Sequence, residues 1–269
     1  MTTIQTKHAH AYAASMILAA FAFGTIAPTW IQSTQWYSTI SAGWIYEIRA
    51  LAKPLARTVI LILTAWLLLG IKPAQLPQAL GLRVPIRSFW IGIGAGVLLS
   101  LPLLIVGMLG GIKDDLVLRS LPHNTLSPGF FEELFFRAFA FGLLVRLAHW
   151  RIWPTAIFTG ICFGLAHIHL AFVQGMDIPS QIGWVAMLAS AGAFYAWIYA
   201  AWGFNLYLPI TMHTLLDLCW EVFQMGQSPL GGAGPLVATV LVFLIPTVYT
   251  IRAKRRRSPE PDPVPERAQ

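Results

Sequence analysis

Apolar positions along this chain gather into long runs instead of alternating with polar ones. Eight runs fall at about 12–30, 55–71, 89–109, 129–148, 153–173, 182–202, 206–224 and 234–251. Each approaches the ~20 residues that a helix needs to cross a hydrocarbon core. Lipid offers the backbone no hydrogen-bond partner, so runs of this length are read as helices, which pair their own N–H and C=O groups. The ten-residue alternation of an outer-membrane barrel is absent. The expected fold class is all-α, a polytopic membrane helix bundle of about eight transmembrane helices. The first run follows Lys7, but it is long for a signal-peptide core and no A-x-A site follows, so it reads as a retained anchor.

Between the runs, residues 31–54 form a longer outer loop with Trp36, Trp44 and Tyr46 placed for the interface. Residues 72–88 are a connector broken by Pro73, Pro77 and Pro85, and 112–128 a polar loop ending at Pro128-Gly129. No repeat of fixed period is evident. The expected organisation is a short N-terminal segment (1–11), one membrane domain (12–251) and a tail (252–269). That tail is basic first, then Pro- and charge-rich and disordered from Ser258.

Composition agrees with the pattern: 57% of residues are hydrophobic and 11% charged, against roughly 25% charged in soluble domains. Of the Lys and Arg residues, 12 fall on the side of the termini and 5 on the other, with Arg137 inside a span. Both termini are therefore expected on the cytoplasmic side of the inner membrane. The net charge of +7 is mostly a topology signal. A nucleic-acid partner would need a basic face on a soluble domain, and there is none. The basic tail suits anionic headgroups of membrane lipid. Cys162 and Cys219 lie inside spans without a disulfide or C-x-x-C pattern and read as small buried residues.

Ionisable residues sit in loops and tails, with few exceptions: Glu132, Glu133 and Arg137 in the fourth run, His167 and His169 in the fifth, and His213, Asp217 and Glu221 in the seventh. A charge at mid-bilayer costs at least ~2.5–3.5 kcal/mol on the insertion scale. Five acids and arginines at that depth would cost on the order of 10 kcal/mol, so they must face one another or a water-filled cavity. Spacing permits this. Glu133–Arg137, Phe163–His167 and His213–Asp217 are each i,i+4 and share a helix face. Glu132 lies about 100° round from Glu133, and His167 about 200° from His169.

EELFFR (132–137), FGLAH (163–167) and HTLLD (213–217) resemble, in order, the E-E-x-x-x-R, F-x-x-x-H and H-x-x-x-N/D motifs of the CPBP family, named for CAAX proteases and bacteriocin-processing enzymes. The motif core spans about 125–224. The resemblance implies an intramembrane endopeptidase that hydrolyses a peptide bond by activated water, on a peptide or lipidated protein substrate. It implies Glu132 as general base with His167 holding the water, His213 and Asp217 stabilising the oxyanion, and Arg137 keeping Glu133 ionised and in place. Asparagine at 217 would donate a hydrogen bond directly. Asp217 must be protonated to do so, or must orient His213.

Glu132, His167 and His213 also make a two-His, one-carboxylate set of the kind that binds zinc. The H-E-x-x-H helix of zincins is absent, and the resemblance favours a metal-free glutamate mechanism with no cofactor. Two other readings stand beside the peptidase: a proton-coupled transporter, for which no inverted repeat is found, and a non-catalytic scaffold or immunity protein. The motifs specify chemistry and not the client. Eukaryotic members trim prenylated C-terminal tripeptides, while bacterial members process peptides or sorting signals or confer self-immunity.

Overall fold

The computed structural model describes residues 3–226 and 231–257. The expected disordered tail from Ser258 lies outside the described residues. Every described element is helical: α1 Thr3–Gln32, α2 Gln35–Ser41, α3 Tyr46–Leu63, α4 Leu76–Ala79, α5 Ile86–Gly110, α6 Ser127–Glu132, α7 Gly142–Arg146, α8 Ile152–Ala166, α9 Ile168–Val173, α10 Ile178–Ala201, α11 Tyr207–Val222 and α12 Ala233–Arg257. Between α6 and α7 runs a nine-residue π-helix, Glu133–Phe141. No strand forms among the described residues. One isolated bridge, Ile112 to Phe223, ties the loop after α5 to the end of α11.

Six described helical stretches are long and apolar enough to cross a membrane: Gln5–Gln32, Tyr46–Leu68, Ile86–Gly110, Ile152–Val173, Ile178–Ala201 and Ala233–Ala253. The chain is a polytopic, multi-pass helical membrane protein. Leu98, Ile105 and Leu109 on α5, Ile157 and Ile161 on α8, and Val237 and Tyr249 on α12 are exposed. On a bundle in lipid such side chains meet acyl tails. The two remaining apolar runs differ in kind. One is the α6–π–α7 series, and the other is α11, whose 16 residues rise only about 24 Å.

The π-helix is the centre of the bundle. All nine of its side chains are buried, and Phe135, Phe136, Phe139 and Phe141 join Ile17 and Phe21 of α1, Leu61 of α3 and Phe163 of α8 in one apolar cluster. Seven of its nine residues are apolar and its two charges, Glu133 and Arg137, face each other, so it has no solvent face to present. Its wider turn is the main local departure from the α-helix expected over 129–148. Two further departures lie upstream. The outer loop shrinks because α2 occupies 35–41 and α3 already begins at Tyr46, with Pro54 inside it.

Glycines set the spacing around this core. A Cβ on Gly160 would lie 2.5 Å from the Ala189 carbonyl oxygen, and one on Gly164 would lie 2.5 Å from that of Val185, so α8 and α10 touch backbone to backbone. Gly92, Gly96 and Gly107 leave room on α5 for the Asn205, Thr211 and Phe223 side chains. Small residues permit such close approach of membrane helices. Gly129 lies directly on Thr214, which brings α6 against α11 one turn before Glu133 and one residue after His213.

Candidate active site

The six motif residues come together although they arise on four elements. Glu132 ends α6 and Glu133 opens the π-helix. His167 caps the C-terminus of α8, and His213 and Asp217 share a face of α11. Adjacency in sequence separates the two glutamates in space. Glu132 lines a cavity of about 1320 Å³ together with His167, His213 and Asp217, while Glu133 and Arg137 stand outside that lining. Glu133 is fully buried and Arg137 is 1% exposed.

On the cavity side, Nε2 of His167 lies 3.5 Å from Oε1 of Glu132. The Nδ1 of His167 is 2.8 Å from the Phe163 carbonyl oxygen. A carbonyl only accepts, so Nδ1 carries a proton and donates it there, leaving Nε2 turned to the carboxylate. Phe163, four residues earlier in the motif, supplies both that carbonyl and a ring 4.6 Å from the imidazole.

Behind the cavity, Arg137 Nη1 is 3.1 Å from Glu133 Oε1, in ion-pair contact but not aligned as a hydrogen bond. The guanidinium is instead boxed by aromatic faces: Phe163 at 4.3 Å, Tyr195 at 5.4 Å and Phe136 at 5.9 Å from the ring centroids. Ring faces carry partial negative charge and hold a desolvated cation well. The same Glu133 oxygen takes a hydrogen bond from His213 Nδ1 at 2.7 Å. His213 Nε2 faces Asp217 Oδ2 at 3.4 Å, and Tyr195 stacks on the imidazole at 5.6 Å and 16°.

Sequence spacing gave no sign of the Glu133–His213 bond or of Tyr195. Spacing pairs residues along a helix, and these contacts run between helices. Residues outside the motifs fall where charge costs less. Glu221, at the end of α11, accepts from Asn124 at 2.7 Å and Ser120 at 3.3 Å. His169 is exposed with Nδ1 3.2 Å from the Ala166 carbonyl oxygen. Cys162 and Cys219 are free thiols.

Residues 96–219 match the family model described as Type II CAAX prenyl endopeptidase Rce1-like. The matched stretch includes all three motifs and every residue of the cluster, and so supports the CPBP family membership that the motifs imply. It points to a CAAX protease. No curated protein and no solved structure matches the chain.

The zinc set does not fit this arrangement. Both ring nitrogens of His213 already face carboxylates, and His167 offers only Nε2. Among the described residues, no three His, Cys, Asp or Glu side chains are placed to hold a metal ion.

Proposed function

We propose that the chain is an intramembrane endopeptidase that hydrolyses a peptide bond near the C-terminus of a prenylated, CAAX-type substrate, using water activated by Glu132 and His167. The carrying observation is the cavity-side pair: a Glu132 carboxylate oxygen and His167 Nε2 3.5 Å apart, both lining one cavity. A water beside them gives a proton to the Glu132 carboxylate while the imidazole holds it in place. A lone pair on its oxygen is then free to attack a carbonyl carbon. Glu132 takes the proton of the attacking water and passes it to the leaving amine, which is general base and then general acid work.

His213 and Asp217 line the same cavity and serve the carbonyl oxygen as it becomes an oxyanion. With Nδ1 bound to Glu133, the Nε2 edge of His213 faces Asp217, so a proton held between them is available to that oxygen. Arg137 and Glu133 do not touch substrate in this reading. They position His213 from behind.

The cavity suits a lipidated peptide because its lining is of two kinds. Phe194, Val240, Phe243 and Leu244 of α10 and α12 offer apolar surface, and Lys53, Asn124, Glu132 and His167 offer polar groups. A prenyl chain needs the first and a peptide the second. Prenylation of a C-terminal C-a-a-X cysteine generates such a molecule. The reading places the protein in the cytoplasmic membrane with both termini inside. It is tested by incubating purified chain with an S-farnesyl CAAX peptide and identifying the products by mass. Release of the C-terminal fragment supports it, and an intact peptide contradicts it.

A further inference from the structure

Three cations stand on one face of α3 at intervals of four residues: Arg49, Lys53 and Arg57. All three line the cavity that holds Glu132. Successive members are about 40° apart round the helix and about 6 Å apart along it. The row descends from exposed Arg49 through half-buried Lys53 to Arg57, which is 8% exposed. Arg57 is held by an Nε–H that donates to the Gly24 carbonyl at 3.1 Å and by the ring of Phe135 5.4 Å beneath it. Both Lys53 and Arg57 are within electrostatic reach of Glu132. Arg49 donates to the Ser41 carbonyl at 2.6 Å and the Ala42 carbonyl at 3.3 Å.

None of the three belongs to an ion pair among the described residues. The acid on their own helix, Glu47, is turned away into a two-pronged pair with Arg119, at 2.7 and 3.0 Å. Glu221 is taken by Asn124. A cation in a membrane-embedded cavity is costly without water or an anion beside it, so a row of three points to an anionic ligand. The topology count agrees. Three of the five Lys and Arg residues expected on the outer side are these, and without them only Lys113 and Arg119 oppose twelve.

We propose that Arg49 and Lys53 bind the free C-terminal carboxylate of the substrate, with Arg57 marking the end of the row nearest Glu132. This inference rests on the peptidase reading above. Lys53 lies about 6 Å and Arg49 about 12 Å from Arg57 along the helix. Extended chain advances about 3.3–3.6 Å per residue. Measured from Arg57, a carboxylate seated on Lys53 or Arg49 therefore lies roughly two to four residues further along an extended chain. The row is a ruler for the length of the released fragment. A lipid headgroup phosphate has the same charge, but it stays level with its own interface, whereas the row runs inward to the residue proposed as base.

The test uses the full chain in phosphatidylcholine nanodiscs and a fluorescent S-farnesyl CAAX peptide, made as the free acid and as the C-terminal amide. Binding is read by anisotropy in Glu132→Gln protein, so that turnover does not consume the probe, and cleavage is read in wild type. The acid is expected to bind at least about 10-fold more tightly than the amide. That ratio should fall to about one in Arg49→Gln/Lys53→Gln protein. Both positions are exposed or half-buried, and an unchanged melting temperature confirms the fold. Wild-type cleavage should favour fragments of two to four residues over a six-residue one.

Equal binding of acid and amide, or binding of neither, overturns the proposal. It is also overturned if the double substitution weakens binding of phosphatidylglycerol vesicles while the acid-to-amide ratio stays unchanged, since the occupant is then a headgroup. The two readings fail separately. Acid preference without product contradicts the peptidase and leaves the carboxylate site standing, and product without acid preference does the reverse.

Discussion

His213 on α11 donates to Glu133 at the head of the π-helix across 2.7 Å, and the same carboxylate oxygen faces Arg137 at 3.1 Å. One buried acid thus joins α11 to the π-helix. Its position behind the cavity gives it a structural and positioning task, distinct from that of its neighbour Glu132.

Glu133→Gln strands the Arg137 guanidinium, which has no other carboxylate partner among the described residues. Removing one partner of a buried ion pair costs about 3–5 kcal/mol. Thermal unfolding in detergent should show a clear fall in melting temperature. Adding Arg137→Met to the same protein removes the stranded charge and should recover most of the loss. A Glu133→Gln protein as stable as wild type would show that the pair does not hold the core.

Asp217 faces His213 Nε2 at 3.4 Å and lines the cavity. Asparagine keeps the shape and supplies a fixed N–H donor. Asp217→Asn should therefore cleave a farnesylated peptide within a few-fold of wild type, whereas Asp217→Ala should lose about 10²–10³ in kcat. Equal losses in the two variants would mean that the carboxylate charge itself is required.

Gly129 packs on Thr214, with no room for a Cβ. Gly129→Ala should destabilise by about 1–3 kcal/mol through overpacking and lower activity, because it pushes Glu132 and Glu133 away from His213. Thr214→Ala removes the obstructing hydroxyl, so the double variant should be more stable than the sum of the single changes allows. Additive losses, measured by thermal melts, would contradict the close contact.

Chelation is expected to leave cleavage unchanged, since both ring nitrogens of His213 face carboxylates, those of Glu133 and Asp217. Protein dialysed against a chelator and assayed with and without added zinc gives the answer. Loss of activity restored by zinc would contradict the metal-free reading.

Much of the site was legible because ionisable residues are conspicuous in apolar runs. Their i,i+4 spacing foretold the Glu133–Arg137 pair and the shared face of His213 and Asp217. Spacing did not disclose that Glu132 and Glu133 part company, one lining the cavity and the other behind it, because that depends on how α6 sits on α11. Tyr195 gave no signal, since a tyrosine in an apolar run looks like core until its ring is seen on His213 and beside Arg137.

The π-helix was hidden for a related reason. Over Glu133–Phe141 nearly every position is apolar, so no periodicity separates a wider turn from an α-helix. Arg49, Lys53 and Arg57 were visible but read as topology signals, because only the fold shows that they share a cavity with Glu132. The helical class was the easiest inference, as the apolar runs and the backbone's need for internal hydrogen bonds leave little else.

The central claim, that Glu132 activates the attacking water, is tested most directly by comparing wild type with Glu132→Gln on a farnesylated CAAX peptide, each purified as the full chain. The product is followed by mass spectrometry and the fold by thermal melting. A Glu132→Gln protein that melts like wild type and cleaves at least ~10²-fold more slowly is the predicted result. Wild-type turnover by that variant would contradict the account.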